Sequence, residues 1–175
     1  MSIDTAAPAD RDAQLNEIIA ATGAAVADDV DSALVVFHAE GEGVRQVATD
    51  IRIGDHRITV DEPPTLGGEN TDPNPVETVL AGLLSRQVVT YRFWAAKLGV
   101  PLDRVHIETE GDLDVRGFFG LDDAVRPGFG EIRVKVTLDG PAEPERYREL
   151  QQIVDAHCPV LDLISNPTRV VTRLV

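Results

Sequence analysis

The sequence has a single cysteine, Cys158, among its 175 residues. A lone cysteine excludes a disulfide within the chain and any zinc or iron–sulfur site that needs several thiolates. It is typical of a protein kept in a reducing cytoplasm, where we expect this one. The four histidines are scattered without the spacing of metal ligands. We therefore expect no metal ion and no other cofactor.

Basic residues are also scarce, since 16 Lys and Arg stand against 30 Asp and Glu, for a net charge of −14. A chain this acidic repels phosphate backbones and anionic lipid, so we expect no nucleic-acid and no membrane partner.

Long hydrophobic runs are missing too. The longest apolar stretch, residues 76–98, is interrupted by Glu77, Arg86, Gln87 and Arg92, which indicates a core helix and not a membrane span. The N-terminus lacks the pattern of a secretory signal.

The remaining pattern is that of a globular α+β protein, and we predict one domain over residues 1–175. Residues 1–28 form an N-terminal extension, disordered over 1–10, with a short amphipathic helix over 12–27. Asn74, Pro75 and Glu77 resemble a capping box that starts a helix over Pro75–Leu98, and Gly99 ends it. Strands are predicted over 33–39, 43–53, 56–60, 105–115, 131–138 and 168–175, and further helices over Pro144–His157 and up to Ser165. The order βββ–α–ββ–α–β is α+β.

Four segments, taken in order, carry a resemblance to a known family: DEPPTLGGENTDPNPVETVLAGLLSR, GVPLDRVHIETEGDLDVRGFFG, RPGF and HCPVLDLISNP. Together they cover about residues 58–170 and resemble the OsmC/Ohr family of thiol-dependent organic hydroperoxide reductases. The resemblance implies an intertwined homodimer, with antiparallel sheets wrapped around two long central helices. It also implies an active site at the subunit interface. There one cysteine attacks the peroxide, a second cysteine resolves it as a disulfide, and lipoyl-type dithiols act as reductants.

The family's site residues carry over incompletely. Cys158 matches the resolving cysteine, but Arg86 stands where the attacking cysteine is expected. Glu77 matches the assisting glutamate. The assisting arginine is one of Arg45, Arg52 and Arg57, and the residues do not decide among them. The resemblance further implies that loop aromatics wall an apolar pocket, a role for which the candidates are Phe118, Phe119 and Phe129.

Arg86 and Cys158 each allow more than one interpretation. Arg86 is a surface arginine, half of a structural salt bridge, or a ligand for a carboxylate or bound anion at the interface near Cys158, since a buried guanidinium requires a negative partner. Cys158 is an unused remnant packed as a small hydrophobe, or a single reactive thiol near a helix N-terminus.

Three functions follow from these alternatives. The first is a divergent family member that keeps the fold, the dimer and the pocket but has lost two-cysteine peroxide reduction. It would act as a small-molecule-binding protein for an apolar or anionic ligand at the interface. The alternative is a one-cysteine thiol peroxidase or reductase that uses Cys158 in oxidative-stress defence. The third is a structural role without pocket chemistry.

Overall fold

The computed structural model describes residues 7–175, in two compact units. One unit is residues 22–82, and the other joins the N-terminal residues up to Ala21 to Leu83–Val175. The predicted disorder of residues 1–10 falls mostly outside the described residues. Where the two overlap it is wrong, because a helix begins at Pro8. The prediction of a single domain over 1–175 stays a prediction.

The helices and strands follow the order α1, β1, β2, β3, α2, β4, α3, β5, α4 and α5. Their bounds are Pro8–Asp28, Ala39–Val44, Ala48–Ile53, His56–Val60, Pro75–Leu98, Arg104–Leu113, Val115–Phe118, Phe129–Asp139, Pro144–His157 and Pro159–Ser165. This composition confirms the predicted α+β class.

In the first unit, β1, β2 and β3 form an antiparallel sheet in that order. The predicted strand over 43–53 is in fact the end of β1, a turn and β2, with Val44 opposite Ala48. Arg45 makes this turn possible by adopting a positive φ of 52°. The predicted strand over 33–39 is also wrong, except that its last residue, Ala39, is the first residue of β1. Residues 30–33 form a 3₁₀ helix and residues 34–38 pair with no strand among the described residues.

Helix α2 has the predicted bounds, Pro75–Leu98. The capping box is formed: the backbone N–H of Glu77 donates to Asn74 Oδ1 at 2.8 Å, and the N–H of Asn74 donates to Glu77 Oε2 at 2.9 Å. Gly99 ends the helix with φ 60°, a left-handed conformation that favours glycine. The sequence signals at both ends were therefore sufficient to set its length.

The second unit packs the later part of α2 against the antiparallel pair β4–β5 and against α4. Its buried core is Tyr91, Ala95, Val100, Leu102, Ile107, Leu150 and Val154. Helix α1 attaches to this unit through hydrogen bonds: Arg11 donates to the carbonyl of Leu102 at 2.8 Å, and Asn16 donates to the carbonyl of Ala96 at 3.2 Å. The α4–α5 pair meets at Cys158, as its Cys-Pro sequence predicted.

The predicted C-terminal strand, residues 168–175, is absent. The segment has no strand partner among the described residues, and the side chains of Val170, Val171, Leu174 and Val175 are exposed. A strand forms only where a neighbouring edge accepts its backbone hydrogen bonds, and residues 7–175 of one chain offer this segment no such edge.

Candidate functional site

Cys158 is buried, with 1% of its surface exposed, at the point where α4 ends and α5 begins. Pro159 prevents α4 from continuing, and Cys158 takes an extended backbone with φ −82° and ψ 111°. Its carbonyl accepts a hydrogen bond from the N–H of Asp162 at 3.0 Å, which starts α5. The thiol is therefore held inside the second unit and not at its surface.

Tyr91 on α2 lies near Cys158 and is fully buried, with 0% of its surface exposed. Burial raises the pKa of the Tyr91 hydroxyl well above its ordinary value, and the negative charges that Asp155 and Cys158 can carry raise it further. Its hydroxyl oxygen has no hydrogen-bond partner among the described residues, and neither does Oε1 of Gln87, which is buried one turn earlier. Neither residue is among the site residues predicted from the sequence, although their spacing of four residues places both side chains on one face of α2.

Arg86 is exposed, and no ion pair or side-chain hydrogen bond of its guanidinium is formed within the described residues. Its backbone carbonyl accepts a hydrogen bond from the hydroxyl of Thr90 at 2.8 Å. The predicted contact of Arg86 with a carboxylate or anion near Cys158 requires a second subunit, and it stays a prediction. Within one chain, Glu77 is used instead to cap α2.

The three candidate arginines for the assisting position differ in their surroundings. Arg45 pairs with Glu69 at 3.1 Å and Arg52 pairs with Glu40 at 2.7 Å. Arg57 has no ion pair among the described residues and lines a cavity of about 690 Å³, together with Asp50 and Asp72.

The three phenylalanines are not gathered into one pocket wall. Phe118 and Phe119 pack edge to face with ring centroids 5.0 Å apart, and both are largely exposed. The ring of Phe129 lies instead against Gly111 on the opposite strand. Their predicted role in a ligand pocket stays a prediction.

Asp61 is the buried carboxylate of the first unit, 2% exposed, in the loop before α2. It accepts hydrogen bonds from the N–H groups of Glu69 and Thr71, at 3.0 and 3.3 Å, and from the Thr71 hydroxyl. Burial alone would raise its pKa, but the hydrogen bonds outweigh burial and hold the pKa below its ordinary value. A side chain at Gly68 would collide with the carbonyl of Glu62, so only glycine lets the loop close on this carboxylate.

No group of three or more histidine, cysteine, aspartate or glutamate side chains within residues 7–175 is arranged to hold a metal ion. No helix in this part of the chain is long and apolar enough to cross a membrane.

Solved structures of the same fold come from several bacteria. An OsmC-like protein from Mycoplasma pneumoniae superposes with a TM-score of 0.65 at 15% identity, covering 75% of this chain and 88% of the other. An organic hydroperoxide resistance protein from Legionella pneumophila gives 0.57 at 21% identity, over 75% and 90% of the two chains. One from Elizabethkingia anophelis gives 0.58 at 18% identity, over 74% and 87%. At these identities the similarity establishes the fold.

Comparison at the level of sequence gives a family. No curated protein matches the chain. The family model described as OsmC-like protein, however, matches residues 68–173, which is more than half of the chain and includes Arg86 and Cys158. The fold and this match agree with the resemblance carried by the four sequence segments, and the chain belongs to the OsmC-like protein family.

Proposed function

We propose that this chain is an OsmC-like protein that has lost two-cysteine peroxide reduction and serves as a small-molecule-binding protein. The observation that carries the proposal is the number of cysteines. The whole sequence contains one cysteine, and that cysteine is buried. A reduction cycle that closes a disulfide needs two thiols whose Cα atoms lie about 4.4–6.8 Å apart. One chain cannot supply them.

The burial of Cys158 also disfavours the alternative, a one-cysteine thiol peroxidase in oxidative-stress defence. A peroxide must reach the sulfur atom directly, and only 1% of Cys158 is exposed. A thiol in this position behaves as a small hydrophobe in the core, like the buried Leu150 and Val154 of the same unit. We place the protein in the cytoplasm, where such a thiol stays reduced.

A homodimer is part of the proposal, because this chain leaves much apolar surface uncovered. Residues 34–37, the sequence LVVF, are between 66% and 94% exposed, and the valines and leucine of 170–175 are exposed as well. Runs of exposed large apolar side chains such as these are typical of interaction sites. A second copy of the chain is the occupant that the family resemblance implies.

Helix α2 also presents an uncovered face. Val79, Arg86 and Val89 succeed one another at spacings of seven and three residues, and the two valines are 46% and 38% exposed. These spacings place all three side chains on one side of a helix. If a second α2 covers this face, Arg86 enters the interface. It must then meet a carboxylate or a bound anion, because a guanidinium does not escape by losing its proton.

The test is consumption of cumene hydroperoxide with dihydrolipoamide as the reductant. We expect the wild-type protein and the Cys158→Ser variant to show the same background rate. The informative variant is Arg86→Cys, which puts a second thiol at the family's attacking position. Turnover by Arg86→Cys that disappears in the double variant with Cys158→Ser would support the placement of position 86. Turnover by the wild-type protein that Cys158→Ser abolishes would overturn the proposal in favour of the one-cysteine peroxidase.

A further inference from the structure

A cavity of about 560 Å³ lies in the second unit, at the end of the β4–β5 pair. Its apolar lining is Leu113, Val115 and Val125, and Gly128 and Gly130 bring no side chains that would fill it. Ligand sites of proteins are typically clefts of about 300–1,000 Å³ with an apolar lining and a few polar groups. The cavity therefore has the size and the character of a site for a small molecule.

The backbone around the cavity is shaped by a β-bulge and by a tightly folded loop. The pairing of β4 with β5 shifts by one residue between Asp112 and Leu113, and Gly130 on β5 is the extra residue of the bulge. Such bulges bend a strand, re-aim its side chains and are common next to active sites. In the loop, the backbone carbonyl of Arg126 lies so close to Gly117 that any side chain on Gly117 would collide with it. The bulge and the loop together form the walls of the cavity.

The acids in the lining are already paired, whereas its arginine is not. Arg133 donates to both carboxylate oxygens of Asp112, at 2.6 and 2.8 Å, and Arg116 donates to Asp114 at 2.6 Å. These hydrogen bonds hold the pKa of both carboxyl groups below its ordinary value. Arg126 also lines the cavity, but it is exposed and its side chain has no ion pair or hydrogen bond among the described residues. An unpaired positive charge is therefore left in a mostly apolar lining.

The guanidinium of Arg126 lies at the wall of the cavity and can be reached from it. Its Nη2 is 3.5 Å from the position that a Cβ on Gly128 would take, and Gly128 lines the same cavity. A molecule that rests against Gly128 is therefore in contact with the guanidinium. Arg126 keeps its charge at any physiological pH, and its fork of N–H donors matches the two oxygens of a carboxylate.

The surrounding charges favour a ligand with a single negative charge. Arg133 is shared by three carboxylates of the two strands, those of Glu110, Asp112 and Glu131. The neighbourhood is thus acidic, as is the whole chain with its net charge of −14. A phosphate or a dicarboxylate would meet this repulsion with only Arg126 to bind it. A monocarboxylate with an apolar body places its charge on Arg126 and its carbon atoms on the aliphatic lining.

We propose that the cavity at the end of the β4–β5 pair binds a small, apolar monocarboxylic acid whose carboxylate is held by Arg126. The site is formed by one chain, and neither Arg86 nor Cys158 is part of its lining. The predicted phenylalanines are not part of it either. The site is therefore additional to the interface site proposed above, and its occupancy does not depend on the outcome of the peroxide assay.

The experiment compares cyclohexanecarboxylate with cyclohexanecarboxamide, which has nearly the same shape but no charge. Each is titrated at neutral pH into the full-length protein with ¹³C-labelled Leu and Val methyl groups, and the methyl signals of Leu113, Val115 and Val125 are followed. In the wild type we expect saturable shifts of these signals and tighter binding of the carboxylate. In Arg126→Gln the Kd of the carboxylate should rise by about 5- to 10-fold, because a hydrogen-bonded ion pair at a partly exposed site is lost. The Kd of the amide should change little.

Two control variants separate the guanidinium from net charge and from space. Arg146→Gln removes an arginine from an exposed ion pair on α4 and should leave the preference for the carboxylate intact. Gly128→Leu keeps Arg126 but puts a side chain against its guanidinium, so it should weaken both molecules, with circular dichroism as the check that it folds.

Three results would each overturn the proposal. The first is the absence of saturable shifts of the cavity methyl groups in the wild type. The second is an Arg126→Gln variant that keeps the full preference for the carboxylate, or an Arg146→Gln variant that loses it as well. The third is a folded Gly128→Leu variant that binds both molecules as tightly as the wild type does.

Discussion

Removing the hydroxyl of Tyr91 should make the protein more stable, which is the opposite of what most substitutions in a core do. The ring of Tyr91 is part of the buried core of the second unit, and Phe fills the same space apart from the oxygen. The oxygen itself has no hydrogen-bond partner among the described residues. Tyr91→Phe therefore removes a desolvation cost and no contact that the fold uses.

The magnitude follows from the desolvation penalty of an unpaired buried polar group, about 1–3 kcal/mol. The Phe variant avoids part of this penalty, so we expect its free energy of unfolding to be higher by about 1 kcal/mol. For a chain of this length that is an increase of about 2–4 °C in Tm. The same substitution at Tyr147 should have the opposite sign. It removes the hydrogen bonds to Pro101 and Ala142, worth about 0.5–1.5 kcal/mol each, at a partly exposed position.

The assay is thermal and urea unfolding of the wild type and the two Tyr→Phe variants. All are measured at one protein concentration, because association would make Tm depend on concentration. A stabilised Tyr91→Phe beside a destabilised Tyr147→Phe is the expected pattern. If Tyr91→Phe loses as much stability as Tyr147→Phe, the Tyr91 hydroxyl has a partner, such as a buried water, and the reasoning is refuted.

Three further predictions concern the loop, the thiol and the C-terminus. Because hydrogen bonds hold the pKa of Asp61 below its ordinary value of 3.8, its contribution to stability should be present above that pH and lost as the pH falls through the lowered pKa. In unfolding experiments at several pH values, Asp61→Asn should thus destabilise the protein most near pH 7 and least near pH 3. The control Asp55→Asn, at an exposed turn position, should change the stability little. A loss of stability in Asp61→Asn that is the same at every pH would contradict this. Cys158 should react with Ellman's reagent at least ~100-fold more slowly in the native protein than in guanidinium chloride, since exposing a buried core group requires local opening; equal rates would show an accessible thiol. Deletion of residues 168–175 should shift the protein from dimer to monomer in sedimentation experiments. The segment has four large apolar side chains that are exposed in the single chain, and we expect the second subunit to cover them. A full-length chain that is monomeric at micromolar concentration would disprove the dimer itself.

Local chemistry determined helix α2 from the sequence alone. The Asn74–Glu77 capping box and Gly99 act within a few residues of the helix ends, so no distant contact was needed to locate them. The same holds for the break at Cys158-Pro159, since proline cannot continue a helix. The order of motifs along the chain was likewise sufficient to identify the family.

Strand pairing was determined by tertiary structure. The runs at 33–39 and 168–175 have strand-like composition, but a strand exists only where another edge accepts its hydrogen bonds. No part of the described chain supplies that edge for either segment, except at Ala39, where β1 begins. The hairpin turn at Arg45 was not predicted, because a positive φ in a residue other than glycine has no strong sequence signal.

The candidate site divides in the same way. The sequence by itself determined the number of thiols, and with it the absence of a two-cysteine cycle within one chain, because counting residues requires no coordinates. Only the tertiary structure decided that Cys158 is buried and that the Asp61 carboxylate accepts hydrogen bonds from its own loop. It also decided that the Tyr147 hydroxyl is hydrogen-bonded, whereas the Tyr91 hydroxyl has no partner among the described residues. These properties depend on which groups from distant parts of the chain come within about 3 Å of one another, and sequence spacing does not encode that distance.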